Sequence, residues 1–259
     1  MASDVLEIDR VGAHVLKVTI DRPEKRNAIT GEVASGIDQA VKLAESDLEI
    51  RAVVLASAAG GVFCAGADLG EVAAGRHAGL QTPDGGFAGI VEARRTKPWI
   101  VAVDGLALAG GCEICLACDL IIASESASFG LPEVKRGLMA GAGGVFRLPR
   151  KVPAAIATEM LLTGDPIGAR RAYEIGLVNR VVPAGEALSA ALELAARIAA
   201  NAPISVQQSL KVATLARTRD EAELFAIMRQ AGAAVRNSED FKEGPRAFLE
   251  KREPRWTGR

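Results

Sequence analysis

The chain has 259 residues, enough for one large domain or for one domain with an added segment. Of these residues 49% are hydrophobic and 24% are charged, which is typical of a globular protein in water. There are 31 Lys and Arg residues against 32 Asp and Glu residues, so the net charge is close to zero. This balance predicts neither a nucleic acid nor a membrane surface as a partner.

The first seven residues contain neither a basic segment nor an apolar one, so no secretory signal is predicted. The most apolar stretch, 99–123, is interrupted by Asp104, Glu113 and Asp119 and is a poor candidate for a membrane span. All four cysteines lie in apolar contexts, which indicates a reducing compartment. Together with the alanine-rich start, these features lead us to expect a bacterial cytoplasmic protein.

Hydrophobic alternation near the start of the chain predicts two strands, 5–8 and 15–20, joined by the turn 9–13 as a hairpin. A helix is predicted over 30–44, because apolar residues recur there at helical spacing. Thr30 precedes this pattern, and its hydroxyl is expected to cap the first turn.

Farther along the chain, short apolar runs alternate with glycine turns and helical segments. The runs predicted as strands are 52–56, 99–103, 120–123 and 128–130. Gly110 and Gly111 are expected to open a helix, and the glycine-rich segment 141–144 is expected to open another that ends near 148–150. This repetition of strand, turn and helix predicts an α/β fold.

Segment 74–89 has a different composition, with five glycines, one proline and few large apolar residues. Because few side chains are available to anchor it, it is predicted to be a mobile loop or lid. A lid of this kind is expected beside a binding site.

Beyond Pro183 the pattern becomes helical. Two apolar stripes are predicted, one of Leu188, Leu192, Ala195 and Ile198, the other of Leu224, Ile227, Met228, Ala231 and Val235. We expect a boundary near residue 200, which divides a mixed α/β core, 1–200, from a helical C-terminal region, 201–259. The C-terminal stripes are more apolar than an isolated surface helix requires, so a homo-oligomer is predicted.

Glu113 is the one charged residue in the apolar and glycine run 106–118. Burial of an unpaired charge is costly, and apolar surroundings raise the pKa of a carboxyl group toward the range useful for proton transfer. A structural glutamate paired with an arginine is the alternative, and the residue types alone leave both interpretations open.

The glycine pair that precedes Glu113 offers a second chemical tool. Gly110 and Gly111 have no Cβ, so a ligand can approach their backbone closely. The first N–H groups of a helix have no intrahelical acceptor and favour negative charge. An oxyanion is therefore expected to bind near Gly110, on the same side of the helix as Glu113.

A further carboxylate, Glu133, follows a proline in the segment 129–137. Taken alone, this segment favours a salt bridge from Glu133 to Lys135 or Arg136. Segment 63–69 is a second place where backbone N–H groups can approach a ligand, because small residues lie on both sides of Gly66. The alternative is that this segment is only a tight connection between a strand and a helix.

The spacing of Cys112, Cys115 and Cys118 superficially resembles an iron–sulfur motif. We reject that interpretation because no fourth cysteine follows and the run is apolar, where free cysteine behaves as a small hydrophobic residue. His14 and His77 are the two histidines, which makes a zinc site improbable. No G-x-S-x-G motif occurs, and the two histidines lie in the predicted hairpin and lid, so a serine–histidine hydrolase is not predicted. No metal site is predicted.

Taken together and in this order, several segments resemble the crotonase family, the enoyl-CoA hydratase/isomerase superfamily. They are DRPEKRNA at 21–28, FCAGADL at 63–69, ALAGGCE at 107–113, CD at 118–119, FGLPE at 129–133, GAGG at 141–144 and EDFKEGPRAF at 239–248. The resemblance covers almost the whole chain. It implies a crotonase-like ββα superhelix, or spiral, with a helical C-terminal region that forms homotrimers or homohexamers.

The resemblance also implies a coenzyme A thioester as substrate. No separate cofactor is expected, because coenzyme A is part of that substrate. By similarity, the N–H groups of Ala67 and Gly110 form the oxyanion hole, and Glu113 and Glu133 match the two glutamates of hydratases. The residues expected to border coenzyme A are Arg26, Ala28, Ala65, Asp68 and Leu69.

These matches favour an enoyl-CoA hydratase, which adds water to a 2-enoyl-CoA to give a 3-hydroxyacyl-CoA during degradation of fatty acyl or related groups. Glu113 is expected to activate water and Glu133 to protonate C2. An enoyl-CoA isomerase, another crotonase-type acyl-CoA lyase and a non-catalytic acyl-CoA-binding subunit are the alternatives. Two positions depart from the pattern of the family. Leu131 stands where many hydratases carry a polar residue. Ala109 stands where a glycine is frequent, and this change is expected to be mild.

Overall fold

The computed structural model describes residues 5–58 and 60–259. Its strands are β1 (Leu6–Val11), β2 (Val15–Ile20), β3 (Ala52–Ser57), β4 (Val62–Cys64), β5 (Gln81–Thr82), β6 (Gly86–Phe87), β7 (Trp99–Val103), β8 (Leu106–Leu108), β9 (Leu120–Ser124), β10 (Ser128–Gly130), β11 (Ile167–Gly168) and β12 (Arg180–Val182). Its α-helices are α1 (Gly31–Ser46), α2 (Leu69–Ala73), α3 (Gly110–Ala117), α4 (Gly144–Lys151), α5 (Ala154–Thr163), α6 (Ala169–Glu174), α7 (Ala187–Ala199), α8 (Pro203–Leu215), α9 (Glu221–Arg236) and α10 (Glu239–Glu250). Short 3-10 helices lie at Pro23–Lys25, His77–Leu80 and Pro132–Arg136.

The larger sheet has the order β1-β2-β3-β7-β9-β12. Its strands are parallel except for β1, which pairs antiparallel with β2 as the predicted hairpin. Strands β3 and β7 are almost entirely buried, as expected for apolar runs in a parallel sheet that is covered on both faces. The predicted strands in these two regions and at 120–123 are confirmed.

The smaller sheet has the order β11-β10-β8-β4. In it β8 lies between β4 and β10 and is parallel to both. Each follows a strand of the larger sheet in sequence: β3 leads to β4, β7 to β8 and β9 to β10. Helices α2, α3 and α4 come after these pairs. The repeating unit is therefore ββα, which confirms the fold class expected from the sequence.

Helix α1 begins as predicted. The Thr30 side chain accepts a hydrogen bond from Val33 N, and the helix buries an apolar face. Removing such a cap typically costs about 1 kcal/mol. Helix α4 likewise follows the glycine-rich segment 141–144 and includes the expected residues 148–150.

Segment 74–89 makes more contacts with the rest of the protein than its composition predicts. Its first part is exposed, but Leu80 is 4% and Ala88 is 0% exposed. Thr82 Oγ1 donates to Asp38 Oδ1 on α1 at 3.0 Å, and the short strands β5 and β6 pair with each other. The prediction of a loop without anchors is therefore wrong for its second part, because small residues there pack closely on α1.

Helix α7 packs on the larger sheet through a row of alanines rather than through its leucines. The fully buried side chains are those of Ala187, Ala191, Ala195 and Ala199. Of the predicted stripe, Ala195 is in this row, whereas Leu188, Leu192 and Ile198 flank it and are partly buried. Small side chains let the helix approach the sheet, so the larger residues lie at the edges of the contact.

The chain after α7 is helical, as predicted, and of the second stripe only Ala231 is buried in the single chain. The final segment returns to the core, where Trp256 Nε1 donates to Ala200 O at 2.8 Å and Arg51 Nη2 donates to Trp256 O at 3.0 Å. The division at residue 200 stays a prediction. No helix in the described ranges is long and apolar enough to cross a bilayer.

Candidate active site

Three segments meet where the parallel strands of the smaller sheet end. Because β4, β8 and β10 run in the same direction, the residues that follow them emerge at one edge of the sheet. Segment 65–69 follows β4, Ala109 and α3 follow β8, and the Pro132–Arg136 turn follows β10. The topology therefore brings together the parts of the chain in which the sequence predicted catalytic groups.

Gly66 allows the first two segments to approach each other. Its φ is +97°, in the region that favours glycine. A Cβ at this position would lie 3.0 Å from Gly110 N and 3.1 Å from Ala109 Cβ, closer than ordinary contacts. Glycine is thus required here for both its conformation and its lack of a side chain.

The N–H groups of Ala67 and Gly110 are both available to a ligand. Ala67 pairs with Ile29 in an isolated parallel bridge, in which Ile29 N donates to Gly66 O and Asp68 N donates to Ile29 O. The N–H of Ala67 itself therefore points away from Ile29. Gly110 is the first residue of α3, so its N–H has no intrahelical acceptor. Within the described residues, neither N–H makes a hydrogen bond.

Ala109 has φ 51° and ψ −127°, a conformation that glycine adopts readily and alanine does not. Backbone strain of this kind costs about 1–3 kcal/mol. Ala109 N donates to Gly130 O at 2.9 Å, which helps to hold the strained residue in place. The expectation that Ala109 is a mild replacement for glycine is wrong, since this residue makes the turn that aims Gly110 N.

Glu113 lies in the first turn of α3 and is 4% exposed. Its Oε1 accepts a hydrogen bond from Gly144 N, the first amide of α4, at 2.8 Å. Burial raises the pKa of Glu113 to about 7, aided by the charge of Glu133 and opposed by the Gly144 hydrogen bond and by Arg147. No salt bridge to an arginine is present at Glu113 within the described chain, so the structural alternative from the sequence is not supported.

Glu133 lies in the Pro132–Arg136 turn and is half-buried. Burial raises the pKa of its carboxyl group, against the effect of the Arg136 charge. Its Oε2 is buried and has no hydrogen-bond partner among the described residues. The predicted salt bridge with Lys135 is absent, because Lys135 Nζ instead pairs with Asp165. One oxygen of Glu133 is therefore free to bind a ligand.

Apolar groups lie against the Glu113 carboxylate. A Cβ on Gly144 would lie within 3.1 Å of Glu113 Oε1, Ala140 Cβ and Leu131 Cδ1, so these three groups converge at one point. A Cβ on Gly110 would lie 2.6 Å from the ring of Phe87, which places that ring against the start of α3. Water is thus largely excluded around Glu113, which explains its raised pKa.

The residues expected to border coenzyme A lie on two segments, 26–28 and 65–69, which are hydrogen-bonded side by side and which we call the ladder. Ala65 N donates to Arg26 O at 3.1 Å, and Ala28 is 8% exposed beside it. Leu69, at the start of α2, is 72% exposed. The carboxylate of Asp68 is already used within the protein, since it caps α2 and pairs with Arg22. Although burial opposes the effect, these hydrogen bonds lower the pKa of Asp68.

The sequence reasoning missed two residues that join the ladder. Arg22 Nη1 donates to Ala28 O at 2.6 Å and contacts Asp68 Oδ2 at 3.2 Å, which ties the two sides together. Asn27 is 0% exposed and its Nδ2 donates to Val62 O at 2.8 Å. A buried asparagine in a turn between apolar strands was the available signal.

The four cysteines are all free and buried, in agreement with their interpretation as small hydrophobic residues. Burial raises the pKa of Cys64 to about 12 and that of Cys118 to about 11, so the thiols stay protonated at neutral pH. Across residues 5–58 and 60–259 no group of three His, Cys, Asp or Glu side chains is placed to hold a metal ion.

Comparison with known proteins identifies the family of the chain. The family model described as enoyl-CoA hydratase/isomerase matches residues 10–259. Enoyl-CoA hydratase EchA19 of Mycobacterium tuberculosis is 43% identical over 258 residues, covering 97% of this chain and 96% of that protein. Carnitinyl-CoA dehydratase of Proteus mirabilis is 40% identical over 250 residues, covering 95% of each.

Among solved structures, an enoyl-CoA hydratase from Mycobacterium tuberculosis matches with a TM-score of 0.94 and 42% identity, covering 99% of this chain and 100% of that one. The ββα fold and the family match together define the class as crotonase-fold enzymes. The chain belongs to the enoyl-CoA hydratase/isomerase family, the crotonase superfamily. Within that superfamily its relatives are hydratases and dehydratases, so crotonase-type lyase activity is supported.

Proposed function

We propose that the protein is a 2-enoyl-CoA hydratase that adds water across the 2,3-double bond to give a 3-hydroxyacyl-CoA. One observation carries this proposal: two carboxyl groups with raised pKa values, Glu113 and Glu133, share an apolar site beside two free backbone N–H groups. Hydration needs a proton acceptor, a proton donor and stabilisation of negative charge on the thioester oxygen. The site has one group for each task.

The N–H groups of Ala67 and Gly110 form the proposed oxyanion hole. As water attacks C3, electrons move toward the thioester oxygen, where negative charge develops. Two backbone donors that are fixed in advance stabilise this charge without reorganisation. The strained turn at Ala109 and the glycine at residue 66 hold the two donors close together.

The two carboxyl groups divide the proton transfers. Glu113 accepts a proton from water as its oxygen bonds to C3, and Glu133 donates a proton to C2, so the pair gains one proton and loses one. The sum of the two steps adds one water molecule to the thioester. Because the charge of Glu133 raises the pKa of Glu113, we expect the two groups to titrate as a pair.

Coenzyme A is proposed to lie along the ladder formed by 26–28 and 65–69. Leu69 offers exposed apolar surface there, and Arg26 is exposed and positively charged. The carboxylate of Asp68 is used by Arg22 and α2, so its proposed contribution is to fix the ladder. No additional cofactor takes part in the proposed reaction.

An activity screen tests this function. The purified chain is incubated with 2-enoyl-CoA esters of different length and bulk, and the products are identified by mass spectrometry. We expect addition of one water to at least one ester, and we expect Glu113→Gln to abolish it. A folded protein that leaves every ester unchanged but still binds them would support the non-catalytic alternative.

Dehydration of carnitinyl-CoA is the second candidate, since a relative at 40% identity is named carnitinyl-CoA dehydratase. It is the same chemistry in reverse, with the same pair of carboxyl groups. Parallel assays with carnitinyl-CoA and with a 3-enoyl-CoA distinguish dehydratase and isomerase activity from hydration. The substrate with the largest kcat/KM identifies the reaction.

We further propose that the chain assembles into a homotrimer or homohexamer through its C-terminal helices. Large apolar side chains on α9 and α10 are exposed in the single chain: Phe225, Met228, Phe241, Phe248 and Leu249. Such a surface is typical of a contact between subunits. Sedimentation that finds a monomer at micromolar concentration would contradict this proposal.

A further inference from the structure

A cleft of about 850 Å³ lies away from the catalytic carboxylates, at the opposite end of α3. It is bounded by segment 90–98, the end of α3, α4, and helix α8 with the residues that follow it. Neither Glu113 nor Glu133 contributes to its lining. Its volume is within the range of small-molecule binding sites.

Positive charge predominates in this cleft, which we call the basic cleft. Its cationic lining residues are Arg95, Arg147, Arg150, Lys151 and Arg217, and its acidic ones are Glu92 and Asp119. The one ion pair formed among them within the described residues joins Arg95 to Asp119, at 3.4 Å. Four of the five cations therefore have no carboxylate partner in the described part of the chain.

The cations are close enough to repel each other. Burial lowers the pKa of Lys151, and the charge of Arg217 lowers it further. Burial likewise lowers the pKa of Arg147, with added effects from Arg95 and Arg150. Like charges held together in a partly buried site are stabilised by a bound anion.

Two exposed arginines of the basic cleft have no acceptor in the described structure. Arg150 lies over the ring of Phe146 at 5.4 Å and makes no hydrogen bond through its guanidinium group. The guanidinium group of Arg217 likewise makes neither a hydrogen bond nor an ion pair there. Lys151 Nζ donates to Cys118 O at 2.7 Å and, as an ammonium group, has two further donors. These groups are suited to bind the oxygens of a carboxylate or a phosphate.

The uncharged lining is mixed, with apolar side chains that include Val91 and Leu116 of the core and Leu210 of α8. Its polar members are Asn201, Ser205, Ser209, Thr214 and Thr218. A purely inorganic anion would leave this apolar surface uncovered. An organic anion with an apolar body matches both parts of the lining.

We propose that the basic cleft binds an amphipathic organic anion, a molecule with an apolar chain or ring and a carboxylate or phosphate head. This site goes beyond the proposed hydratase function and does not depend on it. Its head group lies among Arg150, Lys151 and Arg217, and its body contacts Leu116 and Leu210.

Isothermal titration of the full chain tests the proposal with decanoate and decyl phosphate, both below micelle-forming concentrations. We expect saturable binding of at least one of them, and the tighter of the two identifies the head group. Decanol and inorganic phosphate are the controls for the body and the head alone, and each is expected to bind at least tenfold more weakly. Absence of saturable binding by both amphipathic probes would overturn the proposal.

Two variants locate the binding site. Arg150→Ala and Arg217→Ala each remove a cation that makes no side-chain hydrogen bond or ion pair in the described structure, so folding is expected to be retained, as checked by circular dichroism. Each should weaken binding about tenfold or more. Arg229→Ala, an exposed arginine on α9 outside the cleft, is the matched control and should leave binding unchanged. Equal binding by all three variants would overturn the assignment.

Decanoyl-CoA itself has an apolar chain and phosphate groups, so its competition with the probe is measured both in the unmodified chain and in Arg150→Ala. Probe binding that decanoyl-CoA displaces and that Arg150→Ala leaves unchanged would mean that the probe occupies the acyl site and would overturn the proposal. Probe binding that Arg150→Ala weakens, while the affinity for decanoyl-CoA stays the same, would support it. Loss of self-association in Arg150→Ala, with no probe binding by the unmodified chain, would instead identify the cleft as a subunit contact.

Discussion

The two ends of α3 have opposite roles although the helix has only eight residues. At its N-terminal end, Gly110 N is free and Glu113 lies in the first turn. At its C-terminal end, Arg95 Nη2 donates to Ala117 O at 2.6 Å and Lys151 Nζ donates to Cys118 O at 2.7 Å. One end has backbone donors without acceptors, and at the other end the last carbonyls accept from cations.

Both arrangements follow the helix dipole, which favours negative charge at the N-terminus and positive charge at the C-terminus. The dipole alone would favour ionised Glu113, yet burial outweighs it and the pKa is raised. The comparison teaches that the free N–H groups at one end suit the proposed chemistry, whereas the satisfied carbonyls at the other end stabilise the fold. Variants at the two ends should therefore affect different measurements.

The largest effect is expected from the carboxylates. Glu113→Gln and Glu133→Gln keep the size of the side chain but remove its proton transfer, so each should lower kcat by about 100- to 10,000-fold. KM should change little, because other groups hold the thioester. The double variant should lose less than the product of the two single losses.

Glu125→Gln is the matched control, since Glu125 is exposed after β9 and should have no effect on steady-state rates. Normal hydration by Glu133→Gln would reduce Glu133 to a structural residue. Normal hydration by both single variants would remove the two-carboxylate mechanism.

The next effect concerns the free N–H of Gly110. Proline deletes this donor, but its Cβ would also collide with Phe87, so a direct Gly110→Pro exchange mixes two causes. Both variants are therefore made in the Phe87→Ala background. Gly110→Ala adds a Cβ and keeps the N–H, whereas Gly110→Pro adds a Cβ and loses the N–H. We expect the kcat of the proline variant to be roughly 100- to 1,000-fold lower than that of the alanine variant. Equal rates in two folded proteins would exclude Gly110 from the oxyanion hole.

The pH profile tests the pair of carboxyl groups as a unit. The pKa of Glu113 is raised to about 7 by burial and by the Glu133 charge, so below that pH the pair retains a proton and above it both groups are ionised. A dianionic pair has no proton for C2. Hence kcat/KM for hydration should fall as pH rises through about 7, by roughly tenfold per unit at the limit. A flat profile across this range, with circular dichroism unchanged, would contradict the assignment.

At the C-terminal end of α3, Arg95→Met should lower the free energy of unfolding by about 1–3 kcal/mol, because Ala117 O and the Asp119 carboxylate each lose a donor. The methionine retains an apolar stem next to Trp99. Arg94→Met, on the neighbouring exposed residue, is the control and should change the free energy of unfolding little. Denaturant titration measures both, and equal effects would contradict the assigned role of Arg95.

The smallest effect is expected at Ala109. Glycine relieves the strain of its positive φ but adds entropy to the unfolded chain, so Ala109→Gly should stabilise by about 1 kcal/mol net. Lys251→Gly, at another positive φ, is the control for simple relief and should also stabilise. A loss of stability in Ala109→Gly alone would mean that the alanine methyl makes a compensating contact.

The sequence was sufficient for the long elements with strong patterns. Helix α1 and strands β2, β3 and β7 were predicted because periodicity and capping act locally within each of them. Strands β4 and β8 were not, since three residues are too few to show a period and their stability comes from pairing with each other. The meeting of the catalytic segments depends on that pairing, so composition alone could not reveal it.

The sequence predicted which side chains belong to the candidate site, but it did not predict the backbone conformation that holds them. A lone glutamate in an apolar run indicated a raised pKa, and the structure gives Glu113 one. The strain at Ala109 was underestimated, because the replacement of a frequent glycine was noted but an alanine gives no sign of its backbone conformation. The hydrogen bond from Gly144 was also hidden, since it joins two helices that are far apart in the chain.

The pairing of Ile29 with Ala67 and of β4 with β8 has a consequence for synthesis on the ribosome. Each contact closes a loop of dozens of residues, so the site forms by slow, non-local steps. A nascent chain that has emerged only as far as α3 contains both N–H donors but lacks Gly130 O, which holds Ala109, and Gly144 N, which holds Glu113. The growing polypeptide therefore contains the two proposed oxyanion donors before it contains the groups that fix them in place.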